Sequence, residues 1–100
     1  LLYRIEIHSA VIQDLEKAIH YYEEQQPGLG KRFLKAIDKH FLILSKNPFF
    51  QTRYDDVRCL PVKKFPFMIH FTIEEGNKTV KILAVFNTLL DPKETWVKRK

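Results

Sequence analysis

Residues 62–73 read VKKFPFMIHFTI, and the fold of the whole chain turns on how this stretch is read. Two lysines and Phe-Pro-Phe lead into a strict alternation. Phe67, Ile69, Phe71 and Ile73 take one parity, and Met68, His70 and Thr72 take the other. A period of two belongs to a β-strand, whose successive side chains leave opposite faces. One face of this strand is wholly apolar and has to be covered. The other carries a thioether, an imidazole and a hydroxyl, and is either ordinary sheet surface or a place where chemistry happens.

Working downstream, EEGNK (74–78) is a turn, and TVKILAVF (79–86) is apolar on both parities, the mark of a central strand. Upstream, VRCLPVKK (57–64) is a strand with Pro61 inside it. Proline donates no backbone hydrogen bond, so this strand belongs at a sheet edge or a bulge. The three strands form a meander. Further upstream, KNP (46–48) stops a helix, because Pro48 disfavours helical geometry at Asn47. That helix would carry Leu29, Phe33, Ala36, Ile37, Phe41 and Leu44 on its inner face. QQPGLG (25–30) separates it from an earlier helix over 10–25, in which Val11, Ile12, Leu15, Ala18, Ile19 and Tyr22 recur at helical spacing. Ser9 is the expected N-cap of this first helix. At the start, Tyr3, Ile5 and Ile7 alternate with Arg4, Glu6 and His8, as in a half-buried strand.

The expected fold is therefore α+β, one domain over residues 1–100. An N-terminal strand, an antiparallel helical hairpin and a three-stranded antiparallel meander make a four-stranded sheet in the order first, fourth, third, second. Both helices lie on one face. The covered face should carry Phe67, Ile69, Phe71, Val80, Ile82 and Phe86. The open face should carry Cys59, Lys63, Met68, His70, Thr72, Lys81, Leu83, Val85 and Asn87.

Composition narrows the function classes. No apolar run approaches the roughly 20 residues of a membrane-spanning helix, and no secretory signal pattern opens the chain. Cys59 is the only cysteine, which suits a reducing compartment, so a cytoplasmic location is expected. The four histidines have no metal-ligand spacing, and neither a metal nor a cofactor is expected. The net charge of +5 is uneven: residues 51–100 hold ten Lys/Arg against six Asp/Glu, and residues 1–50 hold seven against six. Such a bias is compatible with a polyanion or an acidic partner.

Four ordered motifs add to this reading. They are DL..A..YYE.Q.PGLG..F across the helical hairpin, NP closing the second helix, VR.....KFPF.I.F through the sheet, and ILAVF ending the last strand. Together they resemble the RelE/ParE superfamily of bacterial toxins, also called plasmid-stabilisation proteins, over residues 3–98. The resemblance implies the toxin of a type II toxin-antitoxin module, inhibiting growth when released from a cognate antitoxin. RelE-like members enter the ribosomal A site and cut mRNA, whereas ParE-like members poison DNA gyrase.

RNA cleavage by 2′-hydroxyl attack needs a proton acceptor, a proton donor and cations at one phosphate. RelE-like members place an arginine in the third strand and another near the end of the last. Here those places hold Met68 and the run Asn87-Thr88-Leu89-Leu90, and many relatives carry a histidine where Asn87 stands. If the chain is a metal-independent endoribonuclease, Lys63, His70 and Asn87 are its catalytic candidates. Arg53, Tyr54, Arg58, Lys64, Lys81 and Trp96 are candidates for contact with nucleic acid or target. Arg58 could instead pair with Asp55 or Asp56 at the sheet rim. A gyrase-directed toxin needs no active site, only a complementary surface. Two alternatives stand beside these: a degenerate, non-toxic member kept for antitoxin binding, and a basic RNA-binding domain. The antitoxin is expected to contribute an acidic, partly helical segment lying across the helical hairpin and a sheet edge.

Overall fold

The alternation at the start of the chain becomes strand β1 (Arg4–Ile7), and the two amphipathic segments become α1 (Ser9–Gln25) and α2 (Leu29–Lys46). The computed structural model describes residues 2–89. Trp96 lies outside the described residues. Four more strands follow: β2 (Thr52–Tyr54), β3 (Val57–Pro61), β4 (Phe67–Glu74) and β5 (Thr79–Asn87). The sheet order is β1-β5-β4-β3-β2. The meander β3-β4-β5 is antiparallel, while β1 runs parallel to β5, so the sheet is mixed. As expected for a strand apolar on both parities, β5 is central.

The structure corrects the expected fold in several places. The sheet has five strands rather than four, so β3, the strand with Pro61, is not an edge: β2 lies outside it. Thr52–Tyr54 folds back on Val57 and Arg58 through a two-residue turn in which Asp55 takes a left-handed φ of 47°. Aspartate tolerates that conformation better than most residues. The N-cap of α1 is His8 rather than Ser9: its Nδ1 accepts a hydrogen bond of 3.0 Å from the Ala10 N–H.

The helices join through a close approach. Gly28 sits at φ 88° in the left-handed region, where glycine carries no Cβ penalty. The Glu23 carboxylate accepts hydrogen bonds from the N–H groups of Gly28 (2.9 Å) and Gly30 (3.1 Å), so α1 caps the start of α2. Gly30 is buried, and a Cβ there would meet the Ile19 carbonyl oxygen at 2.7 Å. Gly30→Ala is therefore expected to destabilise the protein by about 2 kcal/mol through overpacking. Gly76→Ala, whose Cβ would have nothing within 4 Å, is expected to change little. Urea melts of the two variants check the contrast.

The main core lies between the hairpin and one face of the sheet. Val11, Phe33, Ile37 and Leu44 from the helices meet Ile69, Phe71, Val80 and Ile82 from the strands, all fully buried. Parity along β5 does not survive its whole length. Phe71 pairs with Ile82, but His70 pairs with Ala84, so Leu83 is an extra residue in the ladder. Such a bulge reverses the facing of everything beyond it. Val85 therefore joins the helix-side core, while Ala84 and Phe86 turn to the open face with Leu83. The expected placements of Val85, Phe86 and Asn87 are all inverted for this reason. The Val85 N–H is bound by the Asp14 carboxylate of α1 at 3.2 Å, which ties the helix to the strand beside the bulge.

Candidate functional site

The open face of the sheet has an apolar patch built by β2, β3, β4 and β5. Val57, Leu83 and Ala84 are buried there, with Tyr54 and Phe86 packed against them. His70 sits among these residues and is only 5% exposed. Its Nδ1 shares a hydrogen bond of 2.9 Å with the Tyr54 hydroxyl and lies 3.5 Å from Cys59 Sγ. The Phe86 ring packs 5.4 Å from the imidazole, centroid to centroid. Loss of hydration, helped by the positive charge of Arg53 and opposed by Asp14, lowers the His70 pKa from the usual 6.5 to about 4. Burial pushes the Cys59 thiol up to about 11, against a smaller lowering from Arg53. At neutral pH this cluster is an uncharged imidazole, an uncharged thiol and a phenol. A thiol held so far above neutrality is not a reactive nucleophile.

The three catalytic candidates are not brought together. Lys63 lies in the β3–β4 turn, where its backbone N–H donates to His40 Nε2 at 3.2 Å. Asn87 pairs across the ladder with Phe67, which belongs to the helix-side core, and its Oδ1 accepts from the Leu89 N–H at 2.8 Å. His70 is on the opposite face from Asn87, because the bulge at Leu83 reverses parity between them.

The contact candidates are scattered as well. Arg53 is exposed on β2. Tyr54 is committed to His70 rather than presented for base stacking. Arg58 makes neither of the rim salt bridges considered for it: its guanidinium donates to the Phe50 carbonyl at 2.6 Å and lies over the Phe49 ring at 5.7 Å. Lys81 is half-buried on the open face opposite Thr72.

Lys63 and Lys64 instead border a groove of about 820 Å³ on the helix side of the sheet. Its walls are α2 and the β3–β4 turn. Leu29, Ile43, Phe50, Leu60 and Phe65 line it with apolar surface, and Arg32, Lys35 and Lys39 of α2 stand with the two turn lysines. No carboxylate is among the residues lining it. Two features hold the turn in place. His40, itself buried, donates from Nδ1 to the Ala36 carbonyl (2.6 Å) and accepts from Lys63 at Nε2, which defines its neutral tautomer. Lys64 takes a left-handed φ of 72°, costly for a residue with a Cβ.

His40 and the α2 cations were missed as site residues in the sequence. His40 reads as one polar residue on a mixed helix face, and its partner is 23 positions away. Arg32, Lys35 and Lys39 do share one face at helical spacing, which was a visible signal, but nothing local links them to Lys63 and Lys64.

Comparison with curated protein sequences gives no significant match. Among solved structures, a chain from the "Chromosomal ParDE TA system from P. aeruginosa" superposes with a TM-score of 0.74, at 18% identity, over 85% of this chain and 95% of that one. At that identity the likeness speaks for the fold. The family model described as "ParE toxin of type II toxin-antitoxin system, parDE" matches residues 5–89, which takes in every helix and nearly all of the sheet. The chain belongs to the ParE toxin family of type II toxin-antitoxin systems.

Proposed function

We propose that this chain is a growth-inhibiting toxin that acts by occupying a protein target, DNA gyrase, rather than by cutting ribosome-bound mRNA. What supports this reading is the separation of the groups that RNA cleavage would need at one phosphate. An imidazole with a pKa of about 4 is a weak general base at neutral pH, where an acid–base catalyst works best with a pKa near the ambient value. Its hydrogen-bond neighbours are a phenol and an uncharged thiol, and Lys63 and Asn87 are held elsewhere. A toxin that binds a large protein requires none of these groups to converge.

Expression in a bacterial host without the antitoxin is expected to abolish colony formation, and co-expression of the antitoxin to restore it. The purified protein should inhibit supercoiling by gyrase. His70→Asn, which keeps a polar group near the Tyr54 hydroxyl but cannot exchange protons, should remain toxic. Codon-positioned cuts in mRNA from induced cells, lost in His70→Asn, would instead establish nuclease action. Unimpaired growth with soluble, folded protein present would place the chain among non-toxic members of the family.

A further inference from the structure

We propose that two copies of this chain pair along the outer edge of β1, antiparallel about a two-fold axis through Ile5, and join their sheets into one. The pairing is independent of the toxin reading above and follows from three properties of that edge.

The first is the backbone. β1 is an end strand of the sheet, and among the described residues it pairs with β5 alone. The N–H groups of Arg4 and His8 donate to the carbonyls of Lys78 and Ile82, each at 2.9 Å. Backbone groups alternate in direction along a strand, so those of Ile5 and Ile7 point outward. Tyr3 is already committed to α2: its N–H donates to the Ser45 carbonyl at 2.7 Å, and its carbonyl accepts from the Ser45 hydroxyl at 2.8 Å. The opposite end strand, β2, has three residues and an irregular register with β3. β1 is therefore the edge that can take a regular partner strand, with Ile5 at the centre of the usable run.

The second property, charge, selects the partner. With the axis at Ile5, the two Ile5 residues face each other and exchange both backbone bonds, and Arg4 of each copy faces Glu6 of the other. Arg4 and Glu6 share one side of the strand and are exposed, and among the described residues neither takes part in a salt bridge. Opposite charges directly across an antiparallel pair attract, and like charges there repel. An axis at Glu6 would set Glu6 against Glu6, and an axis at Arg4 would set Arg4 against Arg4. Of these registers only the Ile5 axis gives two Arg–Glu pairs. A foreign strand could meet the backbone of β1 as well as a copy does, but it has no reason to carry the two charges in inverted order.

The third is the apolar side of the strand. Tyr3, Ile5 and Ile7 have the parity that faces the helices, and Tyr3 and Ile5 pack on the core there. Ile7 stays 42% exposed, and Ile12, in the first turn of α1 just beyond it, is 54% exposed. At the other end of the edge Leu42, also exposed, precedes Ser45 by about one turn of α2 and so stands near Tyr3. Antiparallel pairing brings Ile7 and Ile12 of one copy beside Tyr3 and Leu42 of the other, and the two-fold axis repeats the contact. Apolar surface left facing water at both ends of the edge is thereby covered.

The test is sedimentation velocity of the purified full chain from about 10 µM to about 1 mM, a range that spans weak to moderate association, read together with ¹⁵N chemical shifts on dilution. The mass is expected to rise from 11.9 kDa toward twice that, with shifts at residues 3–12 and at Leu42. Arg4→Glu and Glu6→Arg should each weaken self-association about tenfold or more, since each sets like charges opposite one another. An equimolar mixture of the two variants should associate again, because each supplies the charge that the other lacks. Ile5→Pro removes an outward N–H and none that binds β5, and should abolish pairing. Near-UV circular dichroism checks that each variant is folded.

A chain that stays monomeric throughout the range overturns the inference. Association that survives both charge variants, or dilution shifts centred on the α2 groove, places the contact elsewhere and overturns it equally. So does a monomeric chain in which Ile5→Pro weakens only the complex with the antitoxin, since the edge would then belong to that partner. None of these readouts involves growth or gyrase, so a monomer that still inhibits supercoiling leaves the toxin reading standing and removes the edge contact alone.

Discussion

Replacing Phe33 with alanine is expected to remove about 3–5 kcal/mol of stability. Phe33 is fully buried at the meeting point of the hairpin and the β3–β4 turn. Its ring lies 5.3 Å from Tyr22, 5.2 Å from Phe65 and 5.0 Å from Phe67, with tilted and edge-on geometries that add to simple area burial. Truncation leaves a cavity that rings anchored on three different elements cannot readily close. A loss of that size is a large fraction of the roughly 5–15 kcal/mol that keeps a domain folded, so the melting temperature should fall by roughly 12 °C or more. Phe33→Leu, which keeps most of the volume, should cost less than half as much. The consequence for the groove is specific. Phe65 forms part of its lining and leans on Phe33, so amide exchange of residues 63–65 should accelerate in the alanine variant beyond the global change. A urea-derived loss below about 1 kcal/mol would show that the aromatic cluster is not a structural anchor.

The second large effect is a pH dependence of stability carried by His70. In the folded chain its pKa lies at about 4, against 6.5 when solvated. Between those values the unfolded chain holds a proton that the folded chain lacks, so stability rises with pH across the window. The contribution is complete above about pH 6.5, is lost progressively as pH falls toward 4, and changes no further below that. Its size is roughly 2–3 kcal/mol, taking about 1.4 kcal/mol per pKa unit and allowing for partial hydration. Carboxylates titrate near the lower end of this window, so the quantity to measure is the difference between wild type and His70→Asn. That difference should slope between pH 6.5 and 4 and flatten above. The imidazole proton resonances should titrate well below pH 5 in the folded protein. A midpoint near 6.5 would mean that water reaches the imidazole and that the open-face patch is looser than its burial implies.

The same residue shows what could and could not be read from the chain. Alternation in Phe67–Ile73 placed His70 on the face away from the helices, and that placement is observed. Alternation could not say that Tyr54 would close over it. β2 is three residues long, and its pairing is a property of its partner strand and of a turn that Asp55 permits, more than of its own pattern.

Local chemistry was enough for the helical hairpin, the meander and the interior place of β5, but not for the Pro61 strand, which was expected at an edge or bulge and instead has β2 paired along its Val57–Arg58 end. Helical spacing in Val11–Tyr22 and Leu29–Leu44, the PGLG break and the proline stop at Pro48 each act within a few residues of themselves, so each can be read within a few residues. Tertiary structure alone decided three things. The bulge at Leu83 put Asn87 and Val85 on the helix side and Phe86 on the open side, because parity holds only while the pleat is unbroken. The mixed, five-stranded sheet depended on pairings between distant segments. The position of Lys63 was fixed by His40, which accepts its N–H from a helix 23 residues earlier, so that Lys63, expected on the open face, borders the groove with Lys64 and the cations of α2. Each of the three is a hydrogen bond or a register between residues far apart in the chain, and the partner's place is defined only once the core has formed.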